Sequence, residues 1–130
     1  MPISEEDVDA VRKLYDALQA RDIPALTRAF ARSSYHVPGN NIVSGTYRGS
    51  EEILGLFART AAETNDTLAF ELHDIVGGEN HVVMLDHQTG RRGDRTIDQS
   101  RVLIAHIENG IMTEVWLVVE DEYAFDEFWS

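Results

Sequence analysis

The chain has 130 residues, 43% of them apolar and none of them cysteine. That is enough for one domain with a real core, and it excludes disulfides, thiolate metal ligands and thiol nucleophiles. Twenty-three acidic residues against 11 basic ones leave a net charge of -12, a surface that repels phosphate backbones and anionic lipids, so neither nucleic acid nor a membrane is an expected partner.

Met1-Pro2-Ile3-Ser4 has no basic start and no apolar run, and no stretch is long enough to cross a bilayer, so a cytoplasmic location is expected. Ser4 opens the first predicted helix. Its hydroxyl can cap free N–H groups, and Glu5, Glu6 and Asp7 suit the positive end of the dipole. Val8, Val11, Leu14, Tyr15 and Leu18 then recur at helical spacing, giving an apolar stripe to about Ala20. Arg21-Asp22-Ile23-Pro24 breaks the stripe. Asp22 caps a second helix with Pro24 in its first turn, and Leu26, Ala29 and Phe30 form its buried side. Ser34 to Val37 reads as a short strand and Pro38-Gly39-Asn40-Asn41 as a turn. Ser50-Glu51-Glu52 starts a third helix, with Ile53, Leu54, Phe57 and Ala61 inward. The three helices are expected near 4–20, 23–32 and 50–63.

After residue 66 the period changes from helical to alternating. Thr67 to Val76, His81 to Arg91, Asp94 to Ile107 and Ile111 to Val119 read as four strands. The connections Gly77-Gly78-Glu79-Asn80, Arg92-Gly93 and Glu108-Asn109-Gly110 are short, so the strands are sequential antiparallel neighbours. The tail from Glu120 to Ser130 is acidic yet carries Tyr123, Phe125, Phe128 and Trp129. No repeat, linker or low-complexity segment divides the chain, so residues 1–130 are expected to form a single domain. Helices first and a meander afterwards describe an α+β layer packing. Three N-terminal helices must cover one face of a curved, mostly antiparallel sheet, and the cone so formed is a natural pocket for a small apolar ligand.

The order of elements resembles the nuclear transport factor 2-like superfamily, in particular its SnoaL-like and ketosteroid-isomerase-like branch. The segments that carry the resemblance are Leu14 to Asp22, His36 to Asn41, Ser44 to Gly49, Glu71 to Asp74, Asn109 to Trp116 and Asp121 to Tyr123. The resemblance implies a cone-shaped α+β barrel. The same fold hosts isomerases, cyclases, hydrolases and proteins without catalysis, so function has to come from the site. Matched without gaps, the oxyanion-binding Tyr of ketosteroid isomerases falls at Leu14, with Tyr15 beside it on a different face. Their general base falls at Pro38 and their second oxyanion donor near Leu103, where SnoaL-type cyclases carry a catalytic His. The cyclases' acidic partner falls near Leu117. None of these positions holds a group that moves a proton, so neither familiar mechanism is expected.

If Leu103 faces inward, alternation turns Gln99, Arg101, Ala105 and Ile107 inward as well. A two-residue turn at Arg92-Gly93 pairs Arg91 with Asp94, which places Asp86 opposite Gln99 and Met84 opposite Arg101 and turns Val82, Met84 and Asp86 inward. A one-residue slip would present His87, Leu85 and Val83 instead. His36 shares the parity of Pro38 and is expected to look into the cone. The candidate site is then His36 and Asp86 as catalytic groups, Arg101 and Gln99 as ligand-binding groups, and Leu14, Leu18, Phe30, Phe57, Met84, Leu103 and Leu117 as walls. An internal Arg keeps its charge and needs an acceptor, and Asp86 lies one diagonal step away. The pair either fills space or anchors a carbonyl or carboxylate, with His36 as proton carrier.

Neither a metal nor a cofactor is expected. His36, Asp86 and His87 would have to converge for a metal, and adjacent strand residues face opposite ways. Trp116, Val102, Ile104 and Val118 fall on the outer sheet face, which suggests a homodimer through that face. Three functions fit these features: an isomerase, cyclase or hydrolase on a small apolar carbonyl or polycyclic compound, a non-catalytic binder of such a compound, and a dimeric interaction module.

Overall fold

A computed structural model describes residues 2–130. In chain order the elements are α1 (Glu5–Ala20), α2 (Ile23–Phe30), β1 (Ser34–Val37), β2 (Gly45–Arg48), α3 (Gly49–Glu63), β3 (Ala69–Gly77), β4 (His81–Arg92), β5 (Arg95–Glu108), β6 (Ile111–Val119) and α4 (Glu122–Phe128). The Ser4 hydroxyl accepts from the Asp7 amide and the Asp7 carboxylate from the Ser4 amide, a reciprocal cap that fixes the start of α1. Asp22 caps α2, with Pro24 in its first turn.

The six strands form one curved, unclosed sheet in the order β2-β1-β6-β5-β4-β3. All neighbours are antiparallel except β1 and β6, which run parallel with Tyr35 beside Val115 and His36 beside Trp116. Register shifts at Leu72/Asp74 and His106/Ile107 mark bulges, which bend the long strands. The helices cover the concave face. Along β5 that face buries Ile97, Gln99, Arg101, Leu103, Ala105 and Ile107, as alternation requires. The α+β cone expected from the change of period is therefore present.

Three features depart from the sequence reading. Residues 45–48 form β2, an edge strand with no alternating apolar signal. The acidic tail folds as α4, a helix too short to persist alone. It is fixed by burial of Phe125, Phe128 and Trp129, about 1.5–3 kcal/mol per large apolar side chain, and by Arg92, whose Nη1 donates to the Phe128 and Ser130 carbonyls at 3.1 and 2.8 Å. Finally, the β4–β5 turn is centred on Gly93 and Asp94, with Arg92 opposite Arg95. Gly93 has φ +65°, and the first central position of such a turn favours glycine for that reason. The expected register is thus off by two residues, and Asp86 sits directly opposite Arg101 and not Gln99. A two-residue shift preserves the face, so the inward set is unchanged.

Candidate functional site

Between helices and sheet lies a cavity of about 490 Å³. Leu14, Leu18, Phe30, Phe57, Met84, Leu103 and Leu117 stand on its wall, and Arg101 stands among them. Phe30, Tyr35 and Phe57 meet edge to face with centroids 5.6–6.4 Å apart, so one side is a rigid aromatic corner. Phe125 and Trp129 bring α4 to the wall as well.

One charged group reaches the deep wall. Arg101 is 8% exposed and Asp86 2%. Arg101 Nε donates to Asp86 Oδ1 and Nη2 to Oδ2, both at 2.8 Å, a two-point fork. The Tyr15 hydroxyl donates to Asp86 Oδ2 at 2.8 Å. Arg101 Cζ lies over the Phe70 ring, 4.2 Å from its centre, a cation–π contact. Burial works against the Arg101 charge, but the bond to Asp86 and its charge prevail, and the pKa is raised. Asp86 uses two of the five guanidinium donors, which leaves three for other partners. Asp86 itself is not on the wall and lies behind Arg101 and Tyr15.

Two tyrosines complete this region, and the sequence reading assigned neither to the site. Tyr15 stands on the wall beside Leu14. Its pKa is raised by burial first and by the Asp86 charge second. Tyr35 is fully inside, and burial raises its pKa against the opposing pull of Arg101. Both phenols are therefore neutral at physiological pH. Signals for both existed. Tyr15 belongs to the stripe with Val11 and Leu18, and Tyr35 shares the parity of Val37.

His36 is a correction. It points to the outer face, where Nε2 lies 2.5 Å from Glu114 Oε2, Nδ1 lies 2.9 Å from Thr46 Oγ1, and the ring stacks on Trp116 at 5.8 Å. The cause is the four-residue strand: Tyr35 and Val37 take its two inward positions, and Pro38 lies beyond its end. His36 cannot carry a proton to a ligand in the cone. Gln99 is buried but is not on the wall. Its Oε1 accepts from the Asp121 amide at 2.7 Å and fastens the start of α4. His87 also faces outward, bonded to Asp98, so the register that turns Asp86 inward is the one adopted. Among the described residues, Gln88 Oε1, Gln99 Nε2 and Trp129 Nε1 are buried without a polar partner.

At the rim Arg21 donates to Asp66 at 2.6 Å, and among the described residues Asp66 is the only carboxylate on the wall. Among the described residues the wall carries no imidazole. This arrangement can orient and polarise an acceptor oxygen through Arg101.

The chain matches the family model described as a SnoaL-like domain over residues 11–115. Bal32a, from a soil-derived mobile gene cassette, superposes with a TM-score of 0.91 at 29% identity over 97% of this chain and 98% of that one. A nuclear transport factor 2-like protein from Burkholderia xenovorans superposes with a TM-score of 0.82 at 20% identity, covering 98% of each chain. IdmH, a putative polyketide cyclase from Streptomyces antibioticus, has a TM-score of 0.72 at 21% identity over 89% of this chain and 93% of its own. The last two similarities concern the fold alone.

Proposed function

We propose that this chain, which belongs to the SnoaL-like domain family, binds a small, largely apolar carbonyl compound in its cone, with the carbonyl oxygen on Arg101. The observation that carries the reading is a buried guanidinium on an otherwise apolar wall with three donors not taken up by its carboxylate. Polarisation of a carbonyl is the first demand of a cyclase- or isomerase-type step, and the shared fold of IdmH supports that direction. Among the described residues the wall has no imidazole and its one carboxylate lies at the rim, so proton abstraction has no group in place there. Binding with polarisation is accordingly the better-supported role, and a steroid-type isomerisation is not expected.

The test is NMR of 2-acetonaphthone labelled with ¹³C at the carbonyl. Binding should bring contacts to Phe57 and Leu103 and move the carbonyl resonance downfield. Arg101→Met should remove that shift and weaken binding by about 1.5–3 kcal/mol, the scale of a hydrogen bond to a charged group. Binding unaffected by the substitution would reduce Arg101 to a structural role.

We also infer a homodimer through the outer sheet face. Trp116 is 36% exposed and Val118 48%, with Val102 and Ile104 partly buried beside them. Large apolar groups on a face without helices favour cover by a second copy. Trp116→Glu should give a monomer by sedimentation velocity, and a wild-type monomer at micromolar concentration would contradict the assignment.

A further inference from the structure

We infer that the cone takes neutral carbonyl compounds and rejects carboxylates of the same shape. This rests on the ligand-binding reading above and narrows it. The charges around the wall already cancel. Its charged residues are Arg101, Arg21 and Asp66. Arg21 is held by Asp66 at the rim and Arg101 by Asp86 behind the wall, two cations against two anions. An unpaired guanidinium would invite a carboxylate. This one has its carboxylate, and a second would leave an uncompensated negative charge in an apolar enclosure.

The neighbouring phenols respond to the same field. Tyr15 and Tyr35 both resist ionisation, through burial first, and with Asp86 opposing a second anion beside it. In each case the attraction of Arg101 is outweighed. A ligand carboxylate would meet those opposing influences. A neutral carbonyl needs only a hydrogen bond, and Arg101 retains donors for it. The remaining polar side chains on the deep wall, among them Tyr15, Tyr35, Gln88 and Trp129, are uncharged. At longer range the net charge of -12 acts in the same direction.

The experiment is calorimetric titration with three probes of nearly one shape: 2-acetonaphthone, 2-naphthamide and 2-naphthoate. At neutral pH the ketone and amide should bind, and naphthoate should bind at least about tenfold more weakly, as expected when like charges are brought together out of water. Because only the neutral acid fits, naphthoate affinity should rise about tenfold per unit as pH falls towards the pKa of naphthoic acid. The ketone serves as control for titration of the facing groups, which are Tyr15 from α1, Tyr35 from β1, Asp86 from β4 and Arg101 from β5. Asp86→Asn removes one negative charge and should reverse the order, naphthoate over ketone. If that variant does not fold, the wild-type ratio and its pH slope decide alone. Naphthoate binding as tightly as the ketone, or independently of pH, overturns the inference and leaves the ligand-binding reading standing. Failure of all three probes overturns that reading and this inference with it.

Discussion

The two faces of the β4–β5 ribbon carry the same kinds of residue under opposite conditions. On the inner face Asp86 and Arg101 stand directly opposite each other, nearly dry, joined by two hydrogen bonds and a third from Tyr15. One residue along, His87 meets Asp98 on the outer face, where their side chains are 45% and 75% exposed. Water can replace either partner of the outer pair at little cost. It cannot do so for the inner one, and a buried pair is no bargain for stability compared with well-packed apolar residues. The proposed ligand-binding role would give such a pair beside a cavity a purpose that folding alone does not supply.

The largest expected effect breaks the inner pair from one side. Asp86→Ala leaves the Arg101 charge buried without its partner and should cost about 3–5 kcal/mol in urea unfolding. Tyr15→Phe keeps the ring and removes one bond to the carboxylate, so a loss of about 1.5–3 kcal/mol is expected on the same assay. Alkaline pH sharpens the contrast without a substitution. Both phenols have folded pKa values raised above the ordinary 10.0. Their neutral forms thus contribute stability that is fully present below about pH 10 and is lost as pH rises through the folded values. The loss should approach about 1.4 kcal/mol per pH unit per phenol, and Tyr15→Phe and Tyr35→Phe should each reduce the late part of the phenolate absorbance titration. The smallest effect belongs to the outer face: His87→Asn should change stability by no more than about 0.5 kcal/mol and leave 2-acetonaphthone affinity unchanged.

Much of this contrast was legible in the sequence. Alternation along β5 placed Arg101 and Leu103 inward together, and a register wrong by two residues could not disturb that, because side chains repeat with period two. The apolar walls followed from helical spacing. What failed had local causes. Four residues in β1 offer too little alternation to outweigh a parity taken from Pro38, which points His36 inward although Tyr35 and Val37 hold those places. The ungapped family match falls on Leu14 and leaves Tyr15 beside it, and nothing local in the sequence shows that the Tyr15 hydroxyl reaches a carboxylate 71 positions away. The tail is acidic yet carries aromatics, and the burial of Phe125, Phe128 and Trp129 is what shows that it packs against the rest of the domain as α4.

The most direct test removes the inner pair whole. The double variant Asp86→Leu with Arg101→Met leaves no unpaired charge, so it should fold, with the relief of the buried pair offsetting the lost Tyr15 bond and thermal stability near that of the wild type. Calorimetry with 2-acetonaphthone then separates folding from function. An affinity lower by about 1.5–3 kcal/mol in a stably folded double variant is the expected result. An unchanged affinity would contradict the account, because the pair would then be filling space in a pocket that binds without it.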